Sequence, residues 1–267
     1  MENLIFLKLG GSLITDKSRP HTPRLEVLAR LAYEIAAARQ SNPALKLLIG
    51  HGSGSFGHVP ARRYGTRQGV RTPQEWQGFV KVWKEAAALD HIVVEALTSA
   101  GIPAVALPVS ASLAASDGKV TTWNLVPISS ALEAGLAPVV YGDVVFDQVR
   151  GGTIFSTEDL FRFLAQQLHP QRLLLAGLED GVWVDFPQRT KLISHITPHN
   201  MPSFKQALGK SASVDVTGGM ESKVMQMLGL VEENPGLEVI IFSGDKPGNV
   251  QRVLLGEDMG TRIGNSN

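Results

Sequence analysis

Six short apolar runs recur along the chain, at residues 4–9, 45–49, 104–107, 137–141, 173–176 and 239–242. Runs of this length without polar alternation are what strands buried on both faces require. Most of the intervening segments carry apolar residues at helical spacing. Leu25, Leu28, Leu31, Ala32 and Ile35 share one helix face, and Trp76, Phe79, Val80, Trp83 and Ala87 form a second apolar stripe. Leu160, Phe161 and Leu164 begin a third; Met220, Val224, Met227, Leu228 and Val231 make a fourth. Strand-length runs alternating with helices predict an α/β fold built on a largely parallel sheet.

Local signals place the helix starts. Thr22-Pro23 reads as an N-cap followed by proline at the first helical position. Thr72-Pro73-Gln74-Glu75 repeats that start and adds the spacing of a capping box. Ser156 predicts a further start, and Gly218-Gly219 another. The mixed Pro, His, Lys and Ser stretch at 193–213 reads as an excursion. No repeat, low-complexity tract or linker divides the chain, so residues 1–267 are expected to form one domain.

Composition narrows the function. Lysine plus arginine balances aspartate plus glutamate at 25 each, so no broad field draws the chain to nucleic acid or an acidic membrane. No run approaches the ~18 apolar residues of a membrane span, and residues 1–11 read as a buried first strand rather than a signal peptide. The absence of cysteine excludes disulfides, thiolate nucleophiles and cysteine zinc sites, and fits a cytoplasmic protein. Basic residues carry information here only where they cluster beside glycines.

Three such clusters exist. Lys8-Leu9-Gly10-Gly11-Ser12 follows the first strand, with Lys17 close behind. Glycines at a strand end let backbone N–H groups approach phosphate oxygens. His51-Gly52-Ser53-Gly54-Ser55-Phe56-Gly57-His58 follows the second strand and precedes a helix, where the dipole adds to the attraction for an anion. Asp215-Val216-Thr217-Gly218-Gly219 opens a helix with Lys223 one turn inside it. A fourth turn, from Gly177 through Asp180-Gly181 to Asp185, is suited to a ribose or a base. Each alone is also compatible with a plain turn. Together, beyond the carboxyl ends of neighbouring strands, they suit a phosphoryl donor and acceptor held head to tail. Asp143, Asp147, Glu158 or Asp159 is expected to orient the lysines. The patterns of P-loop and protein kinases are missing.

In order, KLGGS, HGSGSFGH, YGDVVFD, LEDGVW, DVTGGMESKV and GTRI resemble the amino acid kinase superfamily over essentially the whole chain. The histidine that ends GSFGH makes the chain most similar to its isopentenyl phosphate kinase branch; fosfomycin kinase is the nearest other relative with a histidine there. The resemblance implies a three-layer αβα sandwich with a central, mostly parallel sheet. It further implies an acceptor-binding half at about 1–165, a nucleotide-binding half at about 166–267, a homodimer, and ATP with magnesium carried on its phosphates rather than in a protein metal site. Lys8, Lys17 and His58 would be catalytic. Lys8, Gly10, Gly11, Ser12, Gly54, Asp180, Asp185, Gly219 and Lys223 would bind ATP. Ser53, Gly54, His58 and Thr157 would hold the acceptor phosphate, and either Glu158 or Asp159 would organise the lysines. The chain departs from the family's HGGG at Ser53, and from its SGD at Thr157. The expected activity is ATP-dependent phosphorylation of isopentenyl phosphate. The alternatives are a kinase for another small phosphate or a phosphonate such as fosfomycin, or a non-catalytic nucleotide- or oxyanion-binding protein. Trp76, Phe79, Val80 and Trp83 are expected either to contribute an apolar pocket or to serve as core or dimer interface.

Overall fold

The computed structural model describes residues 3–204 and 219–265, without the His58 side chain. In chain order the strands begin with β1 (Leu4–Leu9), β2 (Lys46–His51), β3 (Ala104–Ala106), β4 (Leu113–Ser116), β5 (Lys119–Trp123), β6 (Ala137–Tyr141) and β7 (Asp143–Asp147). They continue with β8 (Gly151–Phe155), β9 (Arg172–Gly177), β10 (Val182–Trp183), β11 (Leu192–Ile193), β12 (His195–Ile196), β13 (Glu238–Ser243) and β14 (Thr261–Ile263). The helices are α1 (Gly11–Ile14), α2 (Leu25–Ser41), α3 (Gly54–Tyr64), α4 (Pro73–Ser99), α5 (Val126–Glu133), α6 (Thr157–Leu168), α7 (Gly219–Glu233) and α8 (Asn249–Leu254).

All six apolar runs are strands of one eight-stranded sheet, ordered β12-β14-β13-β9-β1-β2-β6-β3. The six pair in parallel; β14 runs antiparallel to β13, with β12 alongside it. The two-residue period of β1 divides the core. Ile5, Leu7 and Leu9 pack on the side of α2, α4 and α8, whereas Leu4 and Phe6 pack on the side of α5, α6 and α7. β2, β9 and β13 alternate in the same way. The result is the expected three-layer αβα sandwich. A second, four-stranded sheet, β5-β4-β7-β8, was not legible in the apolar runs.

Two helix starts follow their sequence signals. Thr72 Oγ1 accepts from the Glu75 N–H at 3.3 Å, and the Glu75 carboxylate accepts from the Thr72 N–H at 2.8 Å. Ser156 and Asp159 form the same reciprocal box at the head of α6. The expected start at Thr22-Pro23 is corrected. Helix α2 begins at Leu25 after Arg24, because Pro23 lies in an antiparallel bridge opposite Thr15 and Thr22 pairs with Asp16.

The stripe on α4 is also corrected. Its buried face is Phe79, Val82, Ala86, Leu89, Val93 and Leu97; Val80 and Trp83 are 57% and 45% exposed. Trp76 and Phe79 pack on each other and on Phe146.

Candidate active site

A cleft of about 690 Å³ opens beyond the carboxyl ends of β1, β2, β6 and β9. This is where the sheet reverses direction of growth, with β2 on one side of β1 and β9 on the other. Lys8, Gly10, Gly11, Ser12, Lys17, Ser53, Thr157, Glu158, Gly219 and Lys223 all line it.

Lys8 follows Leu4 and Phe6 on the β1 face turned toward α6 and α7. Its ammonium is in direct contact with the Glu158 carboxylate, in the first turn of α6. Burial would push the Glu158 carboxyl up. The Lys8 charge and hydrogen bond outweigh it, with Lys223 adding to them, and hold the carboxyl at about 2. Asp159 serves elsewhere: it accepts from the Ser156 N–H at 2.8 Å, from the Ser156 hydroxyl at 2.7 Å and from Arg67 Nη2 at 3.0 Å. Of the two expected carboxylates, Glu158 is therefore the one on a lysine.

The two glycine loops are packed backbone against backbone. A Cβ on Gly11 would lie 2.6 Å from the Gly54 nitrogen. Gly54 has φ +51°, and a Cβ there would overlap Thr15 Oγ1 and lie 2.7 Å from the Gly11 carbonyl oxygen. Only glycine permits this approach, and it adopts this dihedral without the strain a side chain would add. Gly54 thus sets the spacing of the loops without itself lining the cleft.

Thr157 is buried, and its hydroxyl donates to the His51 carbonyl at 2.6 Å. What it offers the cleft is the start of a helix, not a free hydroxyl. His51 ends β2 fully buried, with Nε2 3.2 Å from the Asp90 carboxylate and its ring stacked on Tyr141. It supports the loop from behind.

Several expected positions sit elsewhere. Asp180 pairs with Lys246 at 2.7 Å, and Asp185 accepts from Thr190 and the Lys191 N–H within its own turn. Neither lines the cleft, although their neighbours Gly181, Trp183 and Phe186 do. Asp147 accepts four backbone N–H groups around Gly118 and Arg150, and is structural. Asp143, the first residue of β7, is fully buried. The His58 side chain and residues 215–218 lie outside the described residues.

Four apolar side chains that the stripe reading missed also line the cleft, Ala61, Val82, Ile154 and Phe155; the first three pack in one apolar cluster, and the four together are termed its apolar arm. Arg62, Arg67 and Gln68 stand beside it. Val82 was legible: it continues the helical spacing through Phe79, Ala86 and Leu89 that gives the true buried face.

Residues 3–243 match the amino acid kinase family. The chain is 36% identical over 269 residues to an isopentenyl phosphate kinase from Methanothermobacter thermautotrophicus, covering 97% of this chain and 98% of that one. Its identity to the isopentenyl phosphate kinase of Methanocaldococcus jannaschii is 32%, with the same coverage. An X-ray structure of an isopentenyl phosphate kinase superposes with a TM-score of 0.78 at 32% identity, over 97% of this chain and 99% of that one.

Proposed function

The chain belongs to the amino acid kinase family, and we propose that it transfers the γ-phosphoryl group of ATP to isopentenyl phosphate, giving ADP and isopentenyl diphosphate. The observation that carries the acceptor is the two-part cleft. Its lining combines the polar groups of Gly10, Gly11, Ser12 and Ser53 with the apolar side chains of Ala61, Val82, Ile154 and Phe155. An acceptor with a phosphate head and a short hydrocarbon tail fills both parts. A small phosphonate such as fosfomycin leaves the arm largely unfilled.

The attacking atom is an acceptor phosphate oxygen, already ionised near neutral pH, so no strong general base is needed. The work is positioning and charge compensation. Glycine-loop N–H groups and Lys8, held by Glu158, receive the donor phosphates. Lys17 offsets charge on the phosphoryl group in flight, and Lys223 reaches it from α7. His58 donates a hydrogen bond to the acceptor phosphate. The turn through Gly181, Trp183 and Phe186 and the head of α7 at Gly219 take the nucleoside end, which makes about 1–165 the acceptor half and about 166–267 the nucleotide half. Glu158 is committed to Lys8, so magnesium is carried on the ATP phosphates. The working form is a cytoplasmic homodimer.

Coupled ADP release tests this reading, with isopentenyl phosphate, fosfomycin and other small phosphates as acceptors. Turnover should be greatest with isopentenyl phosphate, and His58→Ala should lower its kcat/KM sharply while ATP still binds. A preference for fosfomycin, or an unchanged kcat/KM in the variant, overturns the acceptor assignment.

A further inference from the structure

Lys17 lines the cleft from a loop, residues 16–22, not from a strand or helix. A lysine carries four rotatable bonds, so its usefulness to a transferring phosphoryl group depends on how firmly its backbone is placed. Two sets of contacts act on this loop. The first shapes it: Asp16 accepts from the Ser18 N–H at 2.9 Å, the Ser18 hydroxyl at 2.6 Å and Arg19 Nε at 2.8 Å, while the Asp16 N–H donates to the Thr22 carbonyl at 2.9 Å. These bonds close the loop on itself and leave its position on the protein open.

The second set places it, and it converges on one residue of α3. Ser55 is 5% exposed, and its polar groups all face the Lys17 loop or its base. Its N–H donates to Thr15 Oγ1 at 2.9 Å, its Oγ accepts from the Thr22 N–H at 3.1 Å, and its carbonyl accepts from the His21 N–H at 3.3 Å. His21 adds a second anchor. Its Nδ1 lies 2.9 Å from the Glu85 carboxylate on α4, and its ring packs on Phe56 at 5.3 Å between centroids. It does so with φ +54°, a left-handed conformation that a non-glycine residue keeps only when its surroundings hold it there.

We propose that Ser55 and His21 are positioning residues that lock the Lys17 loop onto the first turn of α3, so that Lys17 and the acceptor-side glycine loop keep one register. Ser55 lies next to Gly54, so the residue that places Lys17 belongs to the same turn that sets the spacing of the two phosphate loops. The inference rests on the reading of Lys17 as the lysine that stabilises the phosphoryl group in flight.

A double-mutant cycle tests it, using Ser55→Ala, His21→Ala, Lys17→Ala and the two doubles with Lys17→Ala, assayed with ATP and isopentenyl phosphate alongside melting temperatures. Ser55→Ala removes one hydrogen-bond acceptor and should lower kcat about three- to tenfold with KM for ATP nearly unchanged. His21, on the exposed side, should behave alike without threatening the fold. In the Lys17→Ala background both should cost almost nothing further, because there is no lysine left to place. If either lowers kcat by the same factor with and without Lys17, or if neither lowers it in the wild-type background, the proposal is wrong. If Lys17→Ala itself leaves kcat intact, the reading of Lys17 fails first, and that result is distinct from the other two.

Discussion

The Lys8 ammonium rests on the Glu158 carboxylate on the floor of the cleft, across 150 residues of sequence. Strand alternation aims Lys8 at α6, and the capping box aims Asp159 away, so one acid is left to meet the lysine. Both side chains are largely buried, and removing either partner leaves the other's charge uncompensated, at a cost of about 3–5 kcal/mol. Glu158→Gln should therefore lower both the melting temperature and kcat. Saturating ATP should recover part of the lost stability, because its phosphates give Lys8 a new partner. Thermal melts with and without ATP check this.

The same pair sets an acid limit. Glu158 is held at about 2 in the folded protein, below its ordinary range near 4.3. The unfolded chain binds the proton first as pH falls. The pair's contribution is thus complete above about pH 4.5 and is lost as pH drops toward 2, by about 3 kcal/mol in total. Urea melts at stepped pH should show wild type losing this increment, and Glu158→Gln lacking it.

Asp143 has the opposite sign. Burial pushes its carboxyl up to about 6, against the pull of Ser110 and the Val144 N–H and with help from the Asp90 charge. Here the folded protein holds the proton longer than the unfolded chain does. Stability should fall as pH rises from about 4 to 6 and then level off. Asp143→Asn, which has no charge to bury, should melt above wild type at pH 7.5, with the gap closing toward pH 4. An equal gap at both values would rule out titration of Asp143 as its source.

The strands were legible because a buried parallel strand writes itself as an unbroken apolar run, and all six runs proved to be strands. The choice of Glu158 over Asp159 was legible too, in principle: a serine three residues before an acid spends that acid on the helix start. The α4 stripe misled because its large aromatics drew attention from the spacing, and Val82, a smaller residue, marked the inward face. Asp180 and Asp185 stand in a motif suited to a nucleotide, but sequence cannot say that Lys246 or a neighbouring turn already takes the carboxylate. The short strands β4, β5, β7 and β8 carry mixed polar residues, so their sheet gave no continuous apolar signal.

Gly54→Ala should show how much depends on the contact between the loops. The new methyl must overlap Thr15 Oγ1 and press on the Gly11 carbonyl at a φ of +51°. The backbone conformation alone costs about 1–3 kcal/mol in a non-glycine residue, and relief requires the loops to part. kcat/KM should fall at least about tenfold, a change of about 1.4 kcal/mol in transition-state stabilisation. Gly101→Ala is the control: it too has a positive φ, but its added Cβ meets nothing within 4 Å. It should lose the same backbone increment of about 1–3 kcal/mol in stability and keep its activity. Equal activity losses in the two variants would mean that the spacing of the loops is not what matters.

The apolar arm makes the acceptor's tail a separable part of recognition. Val82 is 3% exposed, lies on the inward face of α4 and lines the cleft in the same apolar cluster as Ile154. Val82→Phe fills the space a short hydrocarbon tail would occupy, and Val82→Ala enlarges it by two methyl groups. Neither touches the glycine loops or the lysines, so KM for ATP should stay near wild type in both. Val82→Phe should raise KM for isopentenyl phosphate about tenfold or more, the scale on which an apolar pocket responds to the loss or gain of a methylene. Val82→Ala should loosen the short acceptor by a smaller factor and improve turnover of a longer isoprenyl monophosphate relative to it. Steady-state kinetics with both acceptors distinguish this from a fold defect, which would depress the two substrates together.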